Sequence, residues 1–146
     1  RPELQAPPES YYGEEEAKKY TERNRIIKIQ TEMAERCVQL LELQSDEGLL
    51  LLDIGCGSGL SGDIITEEGH YWFGMDISKD MMRVAIDREV EGELFECDIG
   101  QGFNFLPGKF DAAISVSVIQ WLCNVDKTGH NAWRRLLKFF GNDFFG

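Results

Sequence analysis

The sequence predicts an α/β fold built on a parallel sheet, and three observations carry that expectation. Short continuous apolar runs alternate with amphipathic segments, a glycine-rich loop follows the first run, and the chemically suggestive polar residues stand at the runs' carboxyl ends. A strand covered on both faces by helices needs apolar residues without alternation, and such sheets bind ligands beyond the carboxyl ends of their strands.

Residues 1–13, "RPELQAPPESYYG", hold three of the four prolines and read as an irregular lead-in; residues 14–146 read as one domain. In 14–43 the apolar positions Ile26, Ile29, Met33, Cys37, Leu40 and Leu41 recur at helical spacing, and "SDEG" at 45–48 stops the helix. The run at 49–55 is the first strand, with a short helix over about 60–68 after it. "HYWFGMDIS" supplies a second strand near 71–77, and Ser78 is placed to cap the helix that begins "KDMMRVAIDREV". "GELFECDI" supplies a third strand near 93–99, and "FDAAISVSV" a fourth over 110–118. Asn131 caps a last helix, "NAWRRLLKFFGNDFF".

Composition narrows the function classes. With 146 residues and 42% hydrophobic content the chain can bury a core. A net charge of −11 and a pI near 4.6 argue against gripping nucleic acid through overall charge, while leaving a local basic groove open. The four cysteines, Cys37, Cys56, Cys97 and Cys123, form no Cys-x-x-Cys pair, so no metal site is expected; scattered thiols suit a reducing, intracellular setting. No stretch has the length and apolarity of a membrane span or a signal peptide. The first residue is arginine, and the native N-terminus is expected to lie upstream.

The most specific stretch is "LLDIGCGSGLSG" at 51–62. Glycines at this density serve a tight strand-to-helix turn or the close approach of a ligand to the backbone, and a helix opening at Leu60–Ser61 turns its N–H groups toward such a ligand. The nicotinamide pattern G-x-G-x-x-G would need glycine where Leu60 stands. Asp53, two residues before Gly55, is badly placed beside a pyrophosphate and well placed beside an ammonium or sulfonium charge.

These residues resemble the first motif of the class I S-adenosylmethionine-dependent methyltransferases, whose Rossmann-like sheet carries helices on both faces. The resemblance implies that Asp53, Gly55, Cys56, Gly57 and Gly59 form the cofactor loop. It further implies that Asp76, followed by Ile77, binds the ribose hydroxyls, that Asp98 accepts from the exocyclic amine of adenine with Ile99 packed on the ring, and that Ser115 contributes from the fourth strand. Cys56 reads as a small filler more readily than as a nucleophile. Further segments, above all "EGHYWFGMDIS", "DIGQG" and "SVIQWLCN", are similar to the eukaryotic 18S rRNA (guanine-N7) methyltransferases.

That resemblance implies S-adenosylmethionine as cofactor, 18S rRNA in the pre-40S ribosome as substrate, and a location in the nucleus (nucleolus and nucleoplasm), with the cytoplasm as a further site, without membrane attachment. It also implies a small zinc-binding activator protein as partner, expected to extend the sheet at 93–99. Tyr12, Tyr20 and Arg25 fall where this group closes over its cofactor. Gln120 and Trp121 are the candidates for holding and stacking on a base, against a plain reading in which they begin a buried helix. The superfamily's sheet order is 3-2-1-4-5-7-6, and the chain supplies only the first four strands, so a piece of a larger protein is expected. Two other functions stay open: a carboxyl methyltransferase acting on small acids, and a non-catalytic ribosome assembly factor.

Overall fold

Leu51 and Leu52 are adjacent in the chain and both fully buried. Neighbours on a strand point to opposite faces, so the strand that holds them, β1 (Leu50–Ile54), is covered on both sides. A computed structural model of the chain describes residues 8–44, 47–102, 105, 108–123 and 131–141, with residues 8–21 and Gln120 described by backbone alone. Elements follow in the order α1 (Pro8–Leu40), β1, α2 (Leu60–Glu67), β2 (Tyr71–Asp76), α3 (Lys79–Asp87), β3 (Glu93–Glu96), a 3-10 turn (Ile99–Gln101), β4 (Ala112–Ile114), α4 (Ile119–Leu122) and α5 (Ala132–Phe140). The four strands form one parallel sheet in the order β3-β2-β1-β4.

Two apolar layers sandwich this sheet. On one face Leu51, Trp72, Ala112 and Ile114 pack with Ala34 and Val38 of α1 and Ile64 and Ile65 of α2. On the other, Leu52, Ile54 and Met75 pack with Ile99, Phe110, Leu122 of α4 and Phe139 of α5. Each fully buried aliphatic side chain stabilises the fold by roughly 1.5–3 kcal/mol, so the central strand carries the densest share. Ser78 Oγ accepts from Met81 N and Asn131 Oδ1 from Arg134 N, as capping residues do. No helix among the described residues is long and apolar enough to cross a membrane.

Three elements depart from the sequence reading. Strand β3 ends at Glu96, short of the expected 99, because Asp98 caps the 3-10 turn. Helix α1 starts at Pro8 and not at Glu14; proline is tolerated in a first helical turn, whose N–H groups lack partners anyway. Its buried stripe runs through Ala34 and Val38, whereas Ile26, Ile29 and Leu40 are exposed. Apolar spacing located the helix but not the face that meets α2. The fourth strand spans only Ala112–Ile114, because the chain turns at Ser117, which takes a left-handed φ of 59°. Val118 then folds over Gly55, where a Cβ would lie 2.2 Å from its Cγ2.

Trp72 explains three further glycines. Its indole is buried and donates from Nε1 to Thr66 Oγ1 at 3.1 Å. A Cβ on Gly62, Gly74 or Gly92 would lie 2.1, 2.7 or 2.2 Å from the ring. These glycines are a slot for one large side chain, not flexible joints. Replacing Gly62 by alanine forces the ring to move, and overpacking of this kind costs about 1–3 kcal/mol. Urea unfolding of the intact protein should show that loss; a Gly62→Ala variant as stable as the parent would refute the slot.

Candidate functional site

The glycine loop leaves β1 under constraint from β2. Gly55 N and Cys56 N both donate to the Met75 carbonyl, at 2.7 and 3.0 Å. Gly55 has φ +75° and Gly59, the N-cap of α2, has φ +85°, a region open to glycine at no steric cost. Beyond β2, Asp76 closes the arrangement. Its Oδ2 accepts from Gly57 N at 2.8 Å and its Oδ1 from Ser78 N at 2.8 Å. One carboxylate thus pins the loop and the start of α3, while each oxygen keeps a lone pair for a further donor.

Asp53 lies behind this loop, completely buried. Its Oδ2 accepts from Ser61 Oγ at 2.6 Å, and its Oδ1 is buried without a hydrogen-bond partner. Burial raises its pKa from 3.8 to about 7, the Ser61 bond opposes that rise, and the charge of Asp76 adds to it. Cys56 is also buried; desolvation and the two carboxylates push its thiol well above the ordinary range, so it stays protonated. Its sulfur packs over the bare Cα of Gly74.

Asp98 ends the third strand's run and begins the 3-10 turn. It forms an ion pair with Arg135 of α5, Nη2 to Oδ1 at 2.9 Å and Nη1 to Oδ2 at 3.1 Å. The hydrogen bond from Arg135 is the main influence that lowers the Asp98 pKa, against partial burial. Cys97 next to it is pushed up by burial and by the Asp98 charge.

A cavity of about 720 Å³ opens at these strand ends, within the range of small-molecule sites. Its floor is Gly55, Cys56 and Gly57, and Asp76, Ile77, Asp98 and Ile99 form one wall. Ile26, Ile27 and Gln30 of α1 also line it, and Gln30 Nε2 donates to Ser117 Oγ at 3.4 Å. Trp121 stands at the rim, 64% exposed, so it is not core.

The cavity therefore brings together Gly55, Cys56, Gly57, Asp76, Ile77, Asp98, Ile99 and Trp121. Asp53 and Gly59 are buried beneath it. The Ser115 hydroxyl is buried and unpaired, and Arg25 is exposed on α1. The side chains of Tyr12, Tyr20 and Gln120 fall outside the described residues. Among the described residues no cluster of three histidine, cysteine or acidic side chains could hold a metal. Sequence reasoning missed Gln30, Ser61, Met81 and Arg135. Ser61 was within reach, because a hydroxyl on the first turn of α2 faces back toward β1. Arg135 carried no such signal, being 37 residues from its partner.

An acid-flanked glycine loop and a second acid at the next strand end, over an open parallel sheet, are features of a methyltransferase domain. The methyltransferase domain family matches residues 52–141, and the chain belongs to that family. It is similar to a probable 18S rRNA (guanine-N(7))-methyltransferase of Dictyostelium discoideum, 61% identical over 99% of this chain and 50% of the relative. An 18S rRNA (guanine-N(7))-methyltransferase of Mus musculus is 54% identical over 97% of this chain and 50% of the relative. The chain thus spans about half the length of the curated relatives it matches. A putative S-adenosyl-L-methionine-dependent methyltransferase of Methanococcus maripaludis shares the fold, with a TM-score of 0.57 and 17% identity over 84% of this chain and 57% of that one.

The Asp53 shift has a definite sign. The folded chain holds that proton up to a pH of about 7 and the unfolded chain releases it near 3.8, so this group's contribution to stability is full below pH 4 and fades as pH rises toward 7. Asp53→Asn removes the effect while keeping an acceptor for Ser61. Between pH 4.5 and 7.5 the parent should lose roughly 2–4 kcal/mol relative to Asp53→Asn in urea unfolding; parallel pH profiles would show that Asp53 is ionised throughout.

Proposed function

We propose that the cavity binds S-adenosylmethionine and that the intact protein methylates N7 of a guanosine in small-subunit (18S) rRNA, acting on pre-40S ribosomes in the nucleus. The observation that carries the cofactor reading is Asp76. It is oriented by Gly57 N and Ser78 N and borders the cavity, leaving one free lone pair on each oxygen for the two hydroxyls of a ribose. Similarity to the 18S rRNA enzymes over nearly the whole chain supports the substrate.

The residues fit the donor and the chemistry. Asp76 gives the cavity a negative group suited to a cationic ligand, the Asp98 charge being offset by Arg135, and Ile26, Ile27, Ile77 and Met81 line it with apolar surface. When bound, the cofactor supplies an electrophilic methyl group on a sulfonium. Guanine N7 offers an in-plane lone pair and no proton, so the chain needs to hold and align the base and has no proton to remove. Alignment alone is worth on the order of 7–11 kcal/mol. Trp121, exposed at the rim, offers a stacking face for the base, with Gln120 beside it in sequence as the polar candidate.

The proposal extends to the partner. Strand β3 pairs with β2 on one side and is the end of the described sheet, and Phe95 on it is exposed. An added strand from a small zinc-binding activator protein would cover both the open edge and that ring.

Incubating the intact protein and activator with methyl-labelled cofactor and pre-40S particles should give 7-methylguanosine in 18S rRNA. Label in protein, in a small carboxylic acid or in no product would refute the reading. By calorimetry, Asp76→Ala should weaken S-adenosylhomocysteine binding about 100-fold or more, as loss of two hydrogen bonds to a charged group, worth roughly 1.5–3 kcal/mol each, implies; unchanged affinity would remove Asp76 from the site. Phe95→Asp should abolish co-purification with the activator while leaving the isolated chain folded. Retained co-purification would place the contact elsewhere.

A further inference from the structure

Asp98 is fully subscribed. Oδ1 accepts from Gly100 N at 2.9 Å and from Arg135 Nη2 at 2.9 Å; Oδ2 accepts from Arg135 Nη1 at 3.1 Å and from Gln101 Nε2 at 3.4 Å. A carboxylate offers about four lone-pair sites, so a new donor from the cavity has to displace one of these. The 3.4 Å bond to Gln101, the longest and carried by a solvent-facing side chain, is the one that yields. Arg135 itself is held on three sides. Its Nε donates to the Leu122 carbonyl at 3.2 Å, its fork grips Asp98, and its guanidinium lies over Gly100, where a Cβ would stand 2.3 Å from Cζ. A side chain at position 100 would meet this guanidinium, and only a fork can hold both carboxylate oxygens in plane.

We propose that Arg135 is a positioning residue for recognition of the purine: it locks Asp98, which lines the cavity, in one orientation and leaves only its weakest acceptor position, the one taken by Gln101, open to exchange. This rests on the S-adenosylmethionine reading of the site. Locked and ionised, Asp98 can only accept, so it favours a purine that presents an amino group at its 6-position and repels one that presents a carbonyl. Loosened, the carboxyl can rotate, or take up a proton and donate, and the distinction fades. Because Arg135 also holds the Leu122 carbonyl, the same side chain ties the purine wall to α4, which carries Trp121.

The test compares S-adenosylhomocysteine with S-inosylhomocysteine, which has a carbonyl in place of that amino group, by calorimetry on the intact protein. The parent should prefer the adenosine compound by about tenfold or more, a ratio typical of one charged hydrogen bond. Arg135→Gln should bring the ratio to within about threefold, Arg135→Lys should fall between, and Arg134→Gln on the exposed side of α5 should match the parent. A merely structural role would weaken both ligands equally and leave the ratio unchanged, and that result would overturn the proposal. If Arg135→Gln does not fold, the ratio for Arg135→Lys decides: equal to the parent's, it overturns the proposal. A parent that binds both ligands equally also overturns it and leaves the cofactor reading standing. A parent that binds neither overturns the cofactor reading and this inference with it.

Discussion

The site depends on one carboxylate shared between two backbone amides. Asp76 ends β2, and with its two oxygens it fixes Gly57 in the loop after β1 and Ser78 at the start of α3. Two crossover connections that would otherwise splay are thereby set relative to one another. The Met75 carbonyl does the same one residue earlier, receiving both Gly55 and Cys56. The loop is therefore shaped by its own strand neighbours, and a ligand entering the cavity finds a preorganised wall instead of having to order it. Charge-assisted bonds to backbone amides are among the stronger ones available to a protein, which suits a loop that has given up most of its side chains.

Crowding carboxylates around one cavity is unfavourable, and the fold resolves the conflict in separate ways. Asp53 is withdrawn from solvent, where burial and the charge of Asp76 favour its protonated form. Asp98 keeps its charge because Arg135 neutralises it from α5. Asp76 has two amide donors. Three acids of similar intrinsic pKa thus end in three environments, and only two face the cavity. Arg88 adds a tether from outside, donating to the Ser58 carbonyl and to Asp63 of α2. That contact is partly exposed, so its worth lies in holding the loop and not in net stability.

What was legible in the sequence were features that act over a few residues. The apolar run of β1, the capping side chains of Ser78 and Asn131, and the alternating glycines each state a local requirement, and each is met where it was expected. Features that need a distant partner were not legible. The exposed Ile26 and Ile27 become cavity wall because of where α1 crosses the strand ends. The residues after Ile114 read as strand until Ser117 turns the chain and Val118 occupies the space above Gly55. Nothing in the sequence tied Gly62 and Gly92 to Trp72, although both make room for a ring in another element. Glycine is ambiguous in sequence because it marks both backbone freedom and another group's volume.

Charge sets a last condition on the function. At −11 net charge this chain repels a phosphodiester backbone at distances within the screening length, about 8 Å at physiological salt. The guanidinium nearest the cavity, Arg135, is already committed to Asp98 and cannot serve phosphate without uncovering that acid. On the proposed function, what this chain would offer an RNA is a stacking surface at Trp121 and a cofactor cavity beneath it, and not electrostatic grip. On that proposal, the guanosine has to be presented to the cavity by something other than this chain's net charge, as suits the modification of one position in a large assembly.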